Sequence, residues 1–298
     1  MNSNDPFQPV DLVLTTDETE FFLATLGLDN VDELKMHIIN IQKEALEIFS
    51  YPCIRRFDFI RFKMTKHPQY KKSIEYMNVN KQAVFLDMGC CFGTDVRKAI
   101  ADGCPAERII ASDLRQEFWD LGNKLFKSGP ETLLSTFIQG DVLDPLFIPG
   151  SQQHTTTDSA GLSPTDLKSL TNFSPLVGQT TFIHASDFFH LFTESDQTKV
   201  AQQLASLLSR TSGSMIFGSH ASRPEKGFRT EHPGTSGPGY LGSRMFCHSP
   251  SSWNEMWEGV FPPGTVRVGV KLVERVREEI AATPDVKFYR LVWSVTVL

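Results

Sequence analysis

Apolar positions along this chain keep one period near its start and another from about residue 83 onward. In VDELKMHIINIQKEALEIF, 31–49, they return at every third or fourth residue, the spacing of a single helix face, and residues 1–80 as a whole predict a helical region. YPCIRRFDFIRF, 51–62, interrupts the period with Pro52 and a dense mixture of aromatic and basic side chains. The runs AVFLDM (83–88), RIIAS (108–112), STFIQ (135–139), TFIHAS (181–186) and SMIFGS (214–219) then have strand length and alternate with stretches of helical spacing. That alternation predicts a parallel sheet wrapped by helices, because parallel neighbours need a crossover segment between them.

The C-terminal part departs from the alternation. GTVRVGVKLVERV and VKFYRLVWSVTVL leave no room for a crossover helix and predict an antiparallel hairpin. Five alternating units closed by a hairpin make an α/β, Rossmann-like, seven-stranded and mostly parallel sheet with one reversed strand. The predicted organisation is a helical lid or appendage over 1–80 and the sheet domain over 81–298. Between the third and fourth strands, GSQQHTTTDSAG reads as a mobile polar loop and SPTDLKSL as a short helix capped by Ser163. After the fifth strand, the Gly- and Pro-rich segment 218–249 predicts a long irregular loop at the carboxyl edge of the sheet, where substrate loops belong. Ser249 or Ser251 is the expected cap of the helix that follows.

A chain of 298 residues, 40% hydrophobic, can bury a full core. Its formal charge of -6 would repel a phosphate backbone, so nucleic acid is not an expected partner. The five cysteines, Cys53, Cys90, Cys91, Cys104 and Cys247, are odd in number and lack paired C-x-x-C spacing. They read as free thiols in a reducing compartment, with neither a disulfide framework nor a metal site. MNSNDPFQPVDLVL has no basic n-region and no long apolar h-region, and nowhere do eighteen apolar residues run together, so a cytoplasmic protein without a membrane span is expected.

FLDMGCCFG, 85–93, sets an acid and two glycines at the end of the first strand as Asp87-x-Gly89-x-x-x-Gly93. Such a turn aims backbone N–H groups into the crevice where α/β ligands bind. A nicotinamide dinucleotide would bring its pyrophosphate against Asp87 and be repelled. S-adenosylmethionine carries no phosphate; its α-ammonium and sulfonium would be attracted by that acid, directly or through water. Asp113 stands 24 positions after Gly89, near where an acid meets a ribose diol in such folds. Asp141, after the third strand, could accept an adenine amine while Val142 offers a backbone N–H. Singly, each acid reads as a turn or cap residue. In order, at three strand ends, they predict a methyl-donor site.

These residues resemble the class I S-adenosylmethionine-dependent methyltransferases. More narrowly, the chain is similar to the fungal methyltransferases of meroterpenoid biosynthesis, which esterify a carboxyl group on a farnesylated polyketide acid and are homodimers. The likeness runs from Tyr51 to the C-terminus through YPCIRRF, FLDMGCCFGTDVRK, ASDL, GDV, HASDFFHLF and HSPSSW. It implies a class I methyltransferase fold, S-adenosyl-L-methionine as cofactor, a homodimer, and a small-molecule acceptor that is an anionic apolar acid. By position it implies that Asp87, Gly89, Cys90 and Gly93 line the methionine end, that Asp113 and Leu114 face the ribose, and that Asp141 and Val142 face the adenine, with Ala185 completing the donor set. Cys91 stands where the class pattern D-x-G-x-G-x-G has its middle glycine, and its Cβ would narrow the approach of backbone to ligand. The Cys90-Cys91 pair reads as buried packing rather than as catalytic thiols.

Methyl transfer from a sulfonium is an in-line displacement, so the protein mainly supplies position. A carboxylic acid, with a pKa of about 4, is already ionised at neutral pH; a phenol, at about 10, benefits from a general base. FIHASDFFHLF supplies His184, within the strand and read as a packed core residue, and His190 at the start of the following helix. His190 is the catalytic candidate, although a structural hydrogen bond is the plainer expectation. The segment 55–72 holds seven Lys or Arg residues against one acid, Asp58. It reads either as a solvated helix face or as a lid in which Arg55 and Arg56 meet an anionic acceptor while Tyr51, Phe57 and Phe59 cover its apolar body. Met245 is a further candidate for the acceptor pocket, whereas Trp253 and Trp257 recur at helical spacing and read as docking residues. The N-P-P-Y type motif of amino-group methyltransferases is absent after the fourth strand. The expected activity is methyl esterification of a prenylated polyketide acid. The alternatives are a phenol O-methyltransferase with His190 as base, a non-catalytic donor-binding regulator, and a nicotinamide oxidoreductase that Asp87 disfavours.

Overall fold

The computed structural model describes residues 11–149, 162–229, 245–275 and 287–298. The polar stretch read as a mobile loop, and the middle of the segment after the fifth strand, fall outside them. The N-terminal region is helical as expected: α1 (Thr16–Leu26), α2 (Val31–Ile48), α3 (Pro52–Arg55) and α4 (Tyr70–Val79). A capping box between Thr15 and Glu18 starts α1, and the Asn30 side chain accepts from two backbone N–H groups to start α2. Pro52 opens a helix rather than only ending one, because in the first turn of α3 its missing N–H has no partner to lose.

The alternating part follows as β1 (Phe85–Met88), α5 (Thr94–Ala101), β2 (Ile109–Asp113), α6 (Gln116–Leu125), β3 (Thr136–Gln139), α7 (Pro164–Lys168), β4 (Phe182–His184), α8 (Glu194–Leu207) and β5 (Met215–Ser222). Ser163 caps α7. Two short strands, β6 (Gly227–Phe228) and β7 (Phe246–Cys247), form a separate antiparallel pair within the segment expected to be irregular. Ser249 caps α9 (Pro250–Val260), after which β8 (Val266–Arg275) and β9 (Phe288–Val297) make the predicted hairpin. The main sheet has seven strands in the order β3-β2-β1-β4-β5-β9-β8, and β9 alone runs against its neighbours.

Side-chain alternation separates two cores. Leu86, Met88 and Ile110 point to the face covered by α8 and α9, while Phe85, Ile109 and Ala111 point to the face covered by α4, α5 and Trp119 of α6. Trp253 and Trp257 are fully buried and dock α9 on the first face. A third core joins α1 and α2 to Phe92 in the turn after β1 and to Phe118, Leu121 and Leu125 of α6. The N-terminal helices therefore rest on the loop that the sequence marks for ligand, and share apolar burial with it. None of the helices among the described residues is long and apolar enough to cross a membrane.

Candidate active site

One cavity of about 910 Å³ opens at the carboxyl ends of the strands, the position expected of a ligand site in a sheet of this connectivity. One side of it is built by backbone turns. Gly89 and Cys90 both donate their N–H groups to the Ser112 carbonyl, at 2.8 and 3.0 Å, which folds the turn after β1 back on β2. Gly89 has φ +72°, and a Cβ there would stand 2.6 Å from the Phe188 ring, so no side chain fits. Cys91 also takes a left-handed conformation, φ +52°. The backbone thus keeps the geometry that favours glycine even though the residue is cysteine. Burial raises the thiols of Cys90 and Cys91 well above the ordinary range, so both are protonated packing groups at neutral pH.

Asp113 and Leu114 line the cavity after β2, and Gly140, Asp141 and Val142 line it after β3. Asp113 accepts from the Cys91 N–H at 2.8 Å and from the Arg115 N–H at 3.1 Å, which fixes the carboxylate across two turns. Its burial raises its pKa. Asp141 accepts from the Leu143 N–H at 2.9 Å through one oxygen.

Asp87 is placed differently. It is buried behind the turn and lines a second, much smaller cavity of about 30 Å³, which it shares with Cys90 and Asp95. Gly89, Cys91 and Ser186 line both spaces, and the smaller one holds room for about one water. Asp87 is 2.7 Å from His184 Nδ1, and His184 Nε2 is 2.8 Å from Ser186 Oγ. Asp87 does not line the larger cavity, so of the two expected routes to a cationic ligand there, direct contact and contact through water, the direct one is not available to it. His184 is buried, and its ring is held at both nitrogens.

Gly93 and Ala185 line neither cavity. Gly93 opens α5 at φ +65°, where a Cβ would meet the Trp119 ring at 2.4 Å, so it sets packing. Ala185 is fully buried, and its carbonyl lies 2.3 Å from where a Cβ on Gly218 would be.

The other side of the cavity is built by side chains from distant elements. Tyr51, Arg56, Phe59 and Met245 line it as the sequence reading placed them. Arg55 does not; its Nε donates to Ser50 Oγ at 2.8 Å, since α3 turns that side chain away from the strand ends. The basic segment divides: Arg56, Arg61, Lys63 and Lys66 line the cavity, whereas Lys71 and Lys72 lie on the exposed face of α4. Arg56 pairs with Asp58 at 3.0 Å, and Arg61 pairs with the buried Glu18.

His190 lines the cavity from a 3-10 turn ahead of α8. Its Nδ1 is buried without a hydrogen-bond partner among the described residues, so the structural hydrogen bond expected of it is not found there. Burial pushes its pKa down to about 4, against the opposing pull of Asp187. His67, on the same wall, is likewise pushed down to about 4 by burial. His67, Asp187, Ser219 and Arg290 also line the cavity, and none of them is a candidate from the sequence. Asp187 stands inside the quoted HASDFFHLF and was within reach; Arg290 enters only through the register of β9 against β5, which no local pattern announces. Among the described residues no group of three His, Cys, Asp or Glu side chains could hold a metal ion.

Comparison with known proteins places the chain among fungal methyltransferases. Residues 8–60 match the meroterpenoid methyltransferase N-terminal domain family. The chain is 32% identical over 229 residues to the asnovolin E/chermesin D methyltransferase nvfJ of Aspergillus novofumigatus, covering 76% of this chain and 70% of that protein. It is 27% identical over 276 residues to the methyltransferase ausD of Aspergillus calidoustus, covering 92% of this chain and 86% of that protein. Among solved structures, the 1,6-didemethyltoxoflavin-N1-methyltransferase of Burkholderia thailandensis overlays with a TM-score of 0.47 at 11% identity, over 97% of this chain and 94% of that one, a distance at which nothing further is carried across. The dinucleotide and non-catalytic alternatives fall with the match to nvfJ. The chain belongs to the fungal meroterpenoid methyltransferases, enzymes of the class I, S-adenosylmethionine-dependent type.

Proposed function

We propose that this enzyme methylates the carboxylate of a large, apolar acid and releases a methyl ester. The observation that carries this reading is the pairing of charge and base strength in the 910 Å³ cavity: cationic side chains reach its wall, while His67 and His190 are both pushed down to about 4. Passing a phenolic proton to a group of that pKa is uphill by about 6 units, roughly 8 kcal/mol. A carboxylate acceptor has no proton to pass. The aromatic lining, with Phe59, Phe188 and Tyr289 among it, suits an apolar body, and the cations suit an ionised end.

The turns on the other side suit the donor. Asp113 and Asp141 offer carboxylate oxygens to hydroxyl and amine groups of a nucleoside, and Leu114 and Val142 offer apolar surface beside them. Asp87 acts at one remove, by orienting His184 and through it Ser186. Bound S-adenosylmethionine supplies an electrophilic methyl group on a sulfonium. What the protein adds is alignment, exclusion of water, and an acceptor held in its charged form.

The test uses donor labelled in the methyl group and an extract of fungal acids. Mild alkali should release the transferred label as methanol, because methyl esters saponify and aryl methyl ethers do not. Label that survives alkali in an ether would replace the carboxyl reading with the phenolic one.

A further inference from the structure

On the acceptor side, three charged side chains from three separate elements meet. Asp187, just after β4, receives Lys63 Nζ at 3.2 Å on one oxygen and Arg290 Nη2 at 2.8 Å on the other. All three line the large cavity, and each keeps roughly a fifth of its side chain exposed. Arg290 is further fixed by Nε to Ser219 Oγ at 2.9 Å and Nη2 to the Ser219 carbonyl at 3.2 Å. Its Nη1 makes no hydrogen bond among the described residues. Two cations share one carboxylate, so the three side chains together leave one positive charge over on the cavity wall. The adjacent Arg56–Asp58 pair is neutral as a unit, and the neighbouring His190 carries an orphaned Nδ1.

Asp187 holds a left-handed backbone, φ +53°, which a non-glycine residue adopts at some cost. Its N–H donates to the Ser219 carbonyl at 2.7 Å, the same oxygen that Arg290 uses. The strained residue, the arginine and the fifth strand are therefore locked into one arrangement. Burial alone would raise the Asp187 carboxyl, but Arg290 and Lys63 outweigh it and hold it well below the usual carboxylate range. The aspartate stays ionised and occupies only part of the donor capacity of its two partners: an ammonium has three N–H groups and a guanidinium five.

We propose that Lys63 and Arg290, whose two charges Asp187 balances only in part, form the docking site for the acceptor's carboxylate, and that the site distinguishes acid from ester by charge. The acid supplies the negative charge the cluster lacks. The methyl ester, once formed, has lost that charge and with it the attraction, so the same two side chains that retain the acid favour departure of the ester. This rests on the carboxyl-methylation reading for its purpose, but the binding it predicts can be measured without turnover.

The experiment is calorimetric titration of the S-adenosylhomocysteine-loaded protein with two probes of one skeleton, farnesoic acid and its uncharged counterpart farnesol. The wild type should bind the acid at least about tenfold more tightly. Arg290→Gln and Lys63→Met should each remove most of that preference while leaving farnesol unchanged. Asp187→Asn, which deletes the internal competitor, should move the acid in the opposite direction and tighten it, again with farnesol unchanged; melting curves identify any variant that is merely unfolded. No acid preference in the wild type, equal losses for acid and alcohol, or a weakened acid in Asp187→Asn would each overturn the proposal. If the acid preference holds but the methyl product resists alkali, the docking site stands and the carboxyl-methylation reading fails. If the product is an ester but no preference is seen, the reverse is true.

Discussion

The two sides of the cavity are made in different ways. The side proposed for the donor is made largely of backbone: Gly89 and Cys91 in the turn after β1, Asp113 at the end of β2 and Asp141 after β3 are placed by left-handed dihedrals at the first two and by N–H groups bound to carbonyls and carboxylates. The side proposed for the acceptor is made of side chains: Lys63, Asp187 and Arg290 arrive from the segment before α4, the residues just after β4 and the reversed strand β9. Backbone geometry admits little variation, because a shifted turn loses its hydrogen bonds. A side-chain cluster can be rearranged by one substitution. The contrast teaches that a fold of this kind can keep one cofactor while changing what it methylates, since the two tasks draw on separate structural resources.

The largest effect expected from breaking the backbone side is at Gly122. A Cβ there would stand 2.1 Å from the Phe92 carbonyl oxygen, a backbone atom that cannot swing aside. Gly122→Ala should force α6 away from the donor turn and cost about 3 kcal/mol of stability. Thermal melts with and without S-adenosylhomocysteine check this: the variant should melt lower and gain less from the ligand, and an unchanged melting temperature would show that the close approach is not needed.

Acidification should come next, and it acts on the side-chain half. His67, His190 and His248 are each pushed down to about 4 by burial, and His220 well below its ordinary value. In the unfolded chain these imidazoles bind protons near 6.5. Between about pH 6.5 and 4 the unfolded state therefore holds more protons than the folded one, and stability falls as pH falls through that window. Asp95, whose carboxyl is raised by burial to about 6, works in the opposite direction and offsets part of the loss. A net drop of at least about 5 °C in Tm between pH 7 and pH 4.5 is expected. A flat or rising Tm would mean that the histidines are not held neutral.

At Asp113 the expectation is a loss of binding rather than of fold. Asp113→Ala leaves the N–H groups of Cys91 and Arg115 without their acceptor and removes a carboxylate from the cavity wall. S-adenosylhomocysteine should bind about 10- to 30-fold more weakly, or 1.4 to 2 kcal/mol, by calorimetry. Farnesoic acid should be nearly unaffected, which would confirm that the two sides are energetically separate.

What could be read from the sequence follows the same division. The strands, the reversed hairpin, the caps at Ser163 and Ser249 and the acids at the strand ends all depend on residues within a few positions of one another, so periodicity and turn chemistry reveal them. Arg290 pairs with Asp187, 103 positions away, only because β9 runs antiparallel beside β5 in one register, a relation that no local pattern carries. Arg55 and Arg56 are indistinguishable as letters. A short helix turns one toward Ser50 and the other toward the cavity, and that rotation is set by packing on α2 and α6. Cys91 shows the converse: the residue departs from the glycine pattern while the backbone keeps its conformation.

The smallest effect is expected at His190, and its smallness is informative. A histidine that lines the cavity and has an unpartnered Nδ1 among the described residues is placed where a general base could stand. Its pKa of about 4 gives it the proton affinity of a carboxylate, so above about pH 5 it is neutral but too weak to draw a proton from a phenol. If the acceptor is a carboxylate, wild-type kcat should be nearly flat from pH 6 to 9. His190→Ala should then lower kcat by no more than about threefold and leave the profile flat, because the loss is one of packing. A wild-type rate that climbs with pH, together with loss of that limb in the variant, would identify His190 as a working base and move the acceptor to the phenol class. The charge cluster at Lys63 and Arg290 would then serve to stabilise a phenolate, which holds its charge only before transfer, just as the carboxylate does.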